Sequence, residues 1–396
     1  MKKIKYALIP VISVIIFSLI YSSFLDKKVD ELIDRKDLTS IRHTYDEKVR
    51  DNGTCLMNYF ASRGDLLLLG SSELKRQVEG NPVNIFPCKG NEFEVSIYGV
   101  AHMQDLNQAI RVGSCNNINS NSKVALIVSM QWFNKGSGLM DKQFLSCFSD
   151  NQFYKFLNNP KISKKNKMYL AKRISQLTSI NSDYKDEKIY ADLYLKKDSG
   201  GKIPYYLMLP YYKVKASLLD TRDKLAAYLK LVKLKEKGER EINDIDFNKE
   251  YEDAIEQGTS QVTNCNPFNV QDKFYNKQLK NNKYVYKDRD KDIDLLNSKE
   301  FDDYEFFFDV CDDLGVKPYV ILMSANGWYY DYLGIDKEKR TDFYNKLENI
   351  ASQRGYDVLN LQPNEYEKYY LIDTMHLGWL GWLNVSEELT NHFKGE

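Results

Sequence analysis

The stretch that most constrains the fold is residues 66–74, with the sequence LLLLGSSEL. Four consecutive leucines after Asp65 predict a short β-strand buried on both faces, as in a parallel sheet covered by helices. The run stops at Gly70, and two serines precede Glu73, where we expect a helix to begin. Such a turn places a serine at the carboxyl edge of the sheet, beside N–H groups that suit a developing oxyanion. The alternative is a serine that only caps a helix.

A partner for this serine lies near the other end of the chain. Among the four histidines, only His376 follows an aspartate, Asp373, by three residues. On one turn the Asp373 carboxylate can hydrogen-bond to the His376 imidazole, which fixes the tautomer of the ring and stabilises its protonated form. The G-x-S-x-G turn of another large hydrolase class is absent, so this would be a different chain order for the same chemistry. The alternative is a helix-cap contact or a chance spacing.

Alternating strand and helix patterns in the remainder of the chain predict an α/β fold. Between about residues 151 and 297 lysines are dense and leucines recur at helical spacing, which predicts a helical insertion. The predicted strands, besides residues 66–69, are residues 93–97, 124–128, 318–323 and 356–361. The predicted helices outside the insertion are residues 301–314, 337–354 and 378–393.

The N-terminus has the pattern of a membrane anchor. Residues 1–5 carry the three lysines Lys2, Lys3 and Lys5, and Tyr6 to Leu25 contain no charge. As a helix, these twenty residues would be about 30 Å long, which is enough to cross a bilayer. No clear signal-peptidase site follows, so we expect an uncleaved single-pass anchor within residues 1–25. Residues 26–55 are expected to form a charged stalk helix or a solvated linker. Residues 56–396 then make up one α/β domain that contains the insertion.

Composition excludes several function classes. The chain has 56 basic and 56 acidic residues, so no net charge directs it to nucleic acid. P-loop and G-x-G-x-x-G motifs are absent, and the six cysteines have no zinc-site spacing, so we predict neither a cofactor nor a metal. The cysteines could form disulfides outside the cell or remain buried thiols, and both alternatives stay open.

Three motifs together resemble the signature blocks of a known family. They are GSSEL at residues 70–74, QWF at residues 131–133 and DxxHLGWxGW at residues 373–382. They are similar to those of the DltD family, membrane-anchored proteins of D-alanyl-lipoteichoic acid biosynthesis in Gram-positive bacteria. The resemblance implies an SGNH-hydrolase-like parallel sheet flanked by helices, in a domain that lies outside the cytoplasm.

The resemblance also implies roles for single residues. SGNH enzymes take their nucleophile from a Gly-Asp-Ser block, and Ser71 here replaces that aspartate, so Ser72 is the predicted nucleophile and Ser71 the reserve. Gly99 matches the glycine whose N–H completes an oxyanion hole, although it could equally be a close-packing glycine. Gln131 stands in the region of the usual SGNH asparagine, and its amide can donate to an oxyanion. Ser71 and Trp132 are expected to belong to the same oxyanion or substrate site, with Trp132 as a pocket wall or core anchor.

The implied activity is D-alanyl O-acyl transfer to lipoteichoic acid. Ser72 would carry the D-alanyl group as an acyl-enzyme, with His376 as general base and Asp373 orienting it. We expect His376 to lie within about 2.6–3.2 Å of Ser72 Oγ. The expected partners are lipoteichoic acid, a D-alanyl donor (a carrier protein or a membrane acyltransferase of the pathway) and the membrane. Two alternatives stay open: a thioesterase or esterase with the same triad, and a non-catalytic scaffold of the D-alanylation machinery.

Overall fold

The fold is built on one five-stranded parallel sheet with the strand order β2-β1-β3-β4-β5. The computed structural model describes residues 20–75, 78–198, 200, 202–239, 242 and 244–394. The strands are β1 at Leu66–Leu69, β2 at Val95–Tyr98, β3 at Lys123–Val128, β4 at Tyr319–Leu322 and β5 at Val358–Asn360. All five predicted strands are confirmed, and their ends differ from the predicted ends by at most a few residues. In this order the chain reverses direction across the sheet beside β1, the position where open α/β sheets bind ligands.

Helices cover both faces of the sheet. The helices before β3 are α1 at residues 20–35, α2 at Thr39–His43, α3 at Lys48–Asn52, α4 at Cys55–Ser62, α5 at Pro82–Ile85 and α6 at Asp105–Gly113. Those between β3 and β4 are α7 at Asp141–Cys147, α8 at Asp150–Asn158, α9 at Lys164–Leu177, α10 at Lys185–Lys196, α11 at Lys202–Leu231, α12 at Phe247–Gln261, α13 at Asp272–Phe274, α14 at Lys283–Tyr286 and α15 at Glu300–Leu314. Those after β4 are α16 at Gly327–Tyr332, α17 at Lys337–Ser352 and α18 at Trp379–His392.

The helical character predicted for residues 151–297 is confirmed by helices α8 to α14. Its role as an insertion separate from the α/β domain stays a prediction. The predicted helices at residues 301–314, 337–354 and 378–393 correspond to α15, α17 and α18. Gly315 ends α15 with a left-handed backbone at φ +71°, which glycine adopts without a Cβ penalty.

The alternation of side chains along each strand divides the core into two layers. Leu67 and Leu69 of β1 face α1, α4, α6, α8, α15 and α17, whereas Leu66 and Leu68 face α5, α12 and α18. All four leucines are fully buried, as the unbroken apolar run predicts for a strand covered on both sides. The covered sheet fixes the turn that follows β1 relative to the loops of its neighbours.

Residues 26–55 do not stand away from this core. In α1 the apolar positions Val29 and Ile33 are almost fully buried, and Leu38 and Ile41 continue the same contact. The apolar stripe of the predicted amphipathic helix is therefore used to pack against the α/β body.

The predicted anchor from Tyr6 to Leu25 lies mostly outside the described residues. Within the described part of the chain, no helix is both long enough and apolar enough to cross a membrane. The six cysteines are all unpaired: Cys265 is exposed, and the other five are buried.

Candidate active site

The loops after three neighbouring strands meet at one end of the sheet. The backbone N–H of Gly70, just after β1, donates to the Tyr98 carbonyl at the end of β2, at 3.0 Å. The buried Gln108 side chain of α6 donates to the Gly70 carbonyl at 2.6 Å and to the Tyr98 carbonyl at 3.1 Å. These contacts fix the point where the chain leaves β1 and begins the serine turn.

Ser72, His376 and Asp373 form a continuous hydrogen-bonded chain. Ser72 Oγ lies 2.9 Å from His376 Nε2, within the distance predicted from the sequence. The other ring nitrogen, His376 Nδ1, lies 2.8 Å from Asp373 Oδ2. Although Ser72 and His376 are 304 residues apart in sequence, the sheet brings them into contact. This is the geometry of a nucleophile, a base and a group that orients the base.

A tight turn holds Asp373 and His376 in place. Asp373 Oδ1 accepts the backbone N–H groups of Met375 and His376, each at 2.8 Å, while Oδ2 is left for the imidazole. The N–H of Ile372 donates to the His376 carbonyl at 3.0 Å and closes the turn. The backbone of Gly378 packs against this turn, and a Cβ added to Gly378 would lie 2.8 Å from Ile372 N. The spacing of Asp373 and His376 is thus stabilised by the backbone as well as by the side chains.

The helix predicted to begin at Glu73 is wrong. Ser72–Leu74 form only a single 3₁₀ turn, and the next helix in the described residues is α5. The Glu73 carboxylate folds back and accepts the N–H of Ser71 at 2.5 Å, a contact that suits the first turn of a helix, but the backbone becomes extended at Lys75 and ends the turn there. The serine turn therefore has a buried carboxylate beneath it where the sequence suggested the N-terminus of a longer helix.

Ser71 is held away from the imidazole. It is almost fully buried, its Oγ donates to the Val100 carbonyl at 3.1 Å, and its N–H is bound to Glu73. Between the two serines, Ser72 is the one in contact with His376. This arrangement agrees with the choice of Ser72 over Ser71, although the catalytic role of either serine stays a prediction.

Gly99 packs against the end of β1. A Cβ added to Gly99 would lie 2.4 Å from the Gly70 carbonyl oxygen, so a larger residue cannot fit without moving the backbone. The close-packing alternative therefore accounts for the glycine. An oxyanion role for its N–H stays a prediction, and Gly99 is not among the described residues that line the adjacent groove.

A groove of about 220 Å³ opens beside Ser72. Gln131 and Trp132, in the 3₁₀ turn after β3, both line it: Gln131 is half-buried and Trp132 is 4% exposed. Trp132 is at once a groove wall and part of the core, as the sequence suggested. Gln131 and Ser72 line the same groove, and the oxyanion role of the Gln131 amide stays a prediction.

The groove also contains residues that sequence reasoning did not select. His102, after β2, has a positive φ of 72°, and its Nδ1 lies 3.3 Å from the amide Nε2 of Gln143. Lys135, after β3, is exposed at the same groove. Both residues follow predicted strands within a few positions, so strand-end position was the one signal that could have identified them.

The surroundings of His376 make its imidazole more basic than usual. Burial lowers the pKa of His376, but the hydrogen bond and charge of Asp373, together with the charge of Glu73, outweigh it and raise the pKa above its usual 6.5. Burial raises the pKa of the Glu73 carboxyl, and this effect exceeds the lowering of the pKa by the N–H groups that bind the carboxylate and by the charge of His376. In the described residues, no group of three or more His, Cys, Asp or Glu side chains is arranged to hold a metal ion.

The raised pKa of His376 predicts the acidic limb of the pH–rate profile. A general base must be neutral to accept the serine proton, so kcat/KM is expected to fall as pH decreases through a value above 6.5. In the Asp373→Asn variant the limb should move to lower pH, because the main group that raises the pKa is lost. Initial rates of enzyme acylation between about pH 5 and 9 measure both profiles. An acidic limb below 6.5 in the unmodified protein would contradict the assignment of His376.

Comparisons with known proteins agree with the motif resemblance. The family profile described as "DltD protein" matches residues 42–394. A protein named "Protein DltD" from Bacillus subtilis (strain 168) is 27% identical over 329 residues, covering 83% of this chain and 82% of its own. "Protein DltD" from Staphylococcus aureus (strain NCTC 8325 / PS 47) is 26% identical over 387 residues, covering 96% and 93%. "Protein DltD" from Lacticaseibacillus rhamnosus is 23% identical over 348 residues, covering 86% and 80%.

Proposed function

The chain belongs to the DltD family, and on that premise we propose that it acts in the D-alanylation of teichoic acids. The observation that carries the proposal is the hydrogen-bonded chain from Ser72 Oγ through His376 to Asp373 beside an open groove. This chain of contacts supports a reaction through a covalent acyl group on serine. The strand order and the position of the nucleophile after β1 support an SGNH-like fold.

The proposed first step transfers D-alanine to the protein. Ser72 Oγ attacks the carbonyl carbon of the D-alanyl donor, a thioester or an ester, while His376 Nε2 accepts the serine proton. The bond from the carbonyl carbon to the donor sulfur or oxygen breaks, and His376 returns the proton to this leaving group. Asp373 holds the imidazole in the tautomer with Nδ1–H and stabilises its protonated form. The N–H groups of Ser72 and Gly99 are the candidate oxyanion donors.

The proposed second step delivers D-alanine to a hydroxyl group of lipoteichoic acid. His376 accepts the hydroxyl proton as the oxygen attacks the acyl-enzyme, and it returns this proton to Ser72 as the ester bond to the enzyme breaks. At the groove, Lys135 offers positive charge and His102 a hydrogen bond to the phosphates of such a polymer. Transfer instead of hydrolysis requires that acceptor binding exclude water from the acyl-enzyme.

The experiment is to trap and then discharge the acyl-enzyme. The full-length protein is incubated with a D-alanyl thioester, and the peptide that contains Ser72 is analysed by mass spectrometry for a D-alanyl adduct. Lipoteichoic acid is then added. A transferase moves the label to the polymer, whereas a thioesterase releases free D-alanine at the same rate with or without polymer. D-alanine incorporation into the polymer without any adduct on Ser72 would overturn the covalent mechanism.

We also propose that the uncharged segment from Tyr6 to Leu25 anchors the protein with its α/β domain outside the cytoplasm. The support is the length and apolarity of the segment and the membership of a family linked to an extracytoplasmic polymer. Protease added to intact protoplasts should digest the domain. A domain that is cut only after lysis would place it in the cytoplasm and favour a carrier-bound thioester as its substrate.

A further inference from the structure

The first half of α11 exposes an unusual amount of apolar surface. The α11 patch consists of Ile203, Tyr206, Leu207, Met208 and Tyr211. Ile203 is 73% exposed and Leu207 is 74% exposed. Apolar side chains clustered on one exposed surface mark an interaction site, whereas single exposed ones need no explanation.

The opposite side of the same helix is firmly packed. Tyr205 and Tyr212 of α11 are buried, and both pack against Tyr190 of α10, with ring centroids 6.2 and 4.2 Å from the Tyr190 ring. The α11 patch is therefore the outward face of a helix that already has its inner partner. Within the patch the Tyr211 hydroxyl donates to Asp186 of α10 at 2.7 Å, while the apolar side chains of Ile203 and Leu207 remain about three-quarters exposed.

The composition around the α11 patch is that of a membrane interface. Residues 203–212 contain no charged side chain, and the exposed Lys202 and Lys213 border them on either side. Tyrosines are enriched where a protein meets the boundary between acyl chains and headgroups, and lysines extend their amines to anionic headgroups from the same level. No acidic residue interrupts residues 202–213, and Asp186 of α10, which contacts Tyr211, is paired with Lys215 at 2.9 Å.

The position of the α11 patch identifies the same partner. Lys224 of α11 bonds Ser22 Oγ at 2.8 Å and Asp26 at 2.7 Å, and the chain just beyond α11 bonds the end of α1 through Lys36, at 3.0 Å to the Leu234 carbonyl. The two helices therefore run in the same direction. The α11 residues before Lys224 extend towards the end of the body at which residue 20 begins α1.

That end is also where the most apolar sequence of the chain connects to the body. Ile20 and Phe24 of α1 are 66% and 50% exposed, and they belong to the uncharged sequence from Tyr6 to Leu25. Two apolar parts of the chain that are far apart in sequence are thus both exposed, and the α11 residues that carry the patch extend towards the end of the body where α1 begins. A lipid bilayer can cover both at once.

We propose that the α11 patch rests in the interfacial layer of a lipid bilayer with anionic headgroups. Ile203 and Leu207 contact acyl chains, Tyr206 and Tyr211 lie at the boundary, and Lys202 and Lys213 bind headgroup phosphates. The α/β body would then lie against the membrane through a second contact besides its N-terminal segment. This proposal is independent of the acyl-transfer chemistry.

The test uses the full-length chain, purified and reconstituted in phosphatidylglycerol vesicles. A photoreactive benzoylphenylalanine replaces Leu207 in one variant and Ile255 in the matched control, which lies on α12 and is 47% exposed. After irradiation we expect lipid adducts at position 207, several-fold more abundant than at position 255. Equal yields at the two positions, or a crosslink from position 207 only to a second copy of the chain, would overturn the proposal.

A second measurement uses the unmodified protein, so it tests the proposal even if the substituted variants fail to fold. Hydroxyl-radical oxidation of the unmodified protein in the same vesicles is compared at Tyr206 and Tyr284, which are 57% and 74% exposed. The proposal predicts that Tyr206 is oxidised several-fold less than Tyr284. Similar oxidation of the two tyrosines would show that no bilayer covers the α11 patch.

Discussion

The Ser72→Ala variant is expected to fold, to reach the membrane and to lose D-alanine incorporation. Ser72 Oγ is the atom 2.9 Å from His376 Nε2, so its removal takes away the only oxygen positioned to carry the acyl group in the proposed mechanism. By analogy with serine hydrolases, the rate should fall by roughly 10⁴–10⁶-fold. Substrate binding and oxyanion contacts would account for the rate that remains. Incorporation of labelled D-alanine into lipoteichoic acid measures the loss.

Ser71→Ala is the matched control, since it removes a serine hydroxyl from the neighbouring position. Ser71 Oγ binds the Val100 carbonyl and not the imidazole, so we expect the Ser71→Ala variant to keep acyl-enzyme formation and to lose some stability. A net hydrogen bond of this kind contributes about 1 kcal/mol, which a thermal melt can detect. Full incorporation in Ser72→Ala with loss in Ser71→Ala would show that the nucleophile is Ser71.

The sequence predicted well those parts of the site that depend on local pattern. The four leucines of β1 needed no tertiary information, because a fully apolar run between turn residues is typical of a strand with both faces covered. The spacing of Asp373 and His376 within one turn was also sufficient to predict their contact. The meeting of Ser72 and His376 was predicted as well, because strand order in an open α/β sheet can bring early and late loops to the same edge, but the residues alone could not fix that strand order.

The errors and omissions have a common physical origin in long-range or side-chain-specific contacts. A helix was expected at Glu73 because serine followed by glutamate suits a helix start, but the backbone becomes extended at Lys75 after a single 3₁₀ turn. His102 and Lys135 were not selected, because neither lies in a recognisable motif. Only the arrangement of the loops after β2 and β3 around one groove connects them with Ser72.

Removing Ser72 and His376 together is expected to cost little more than removing either one. The two side chains act in the same proton transfer, so once either is replaced by alanine the other has no remaining function in the proposed mechanism. The single variants Ser72→Ala and His376→Ala should each lower acyl transfer by roughly 10⁴–10⁶-fold, and the double variant should fall to the same floor. Rates of labelled D-alanine transfer for the three variants and the unmodified protein complete the cycle.

Asp373→Asn provides a graded member of the same series. The new side chain keeps an oxygen for the N–H groups of Met375 and His376, so the turn should be preserved. Its amide, however, donates to His376 Nδ1 where the carboxylate accepted, which favours the tautomer with Nε2–H that cannot take the serine proton. The loss should therefore be milder than for His376→Ala, about 10³–10⁴-fold. If the Ser72 and His376 losses instead multiply, the two residues act independently, and the contact between them is structural and not catalytic.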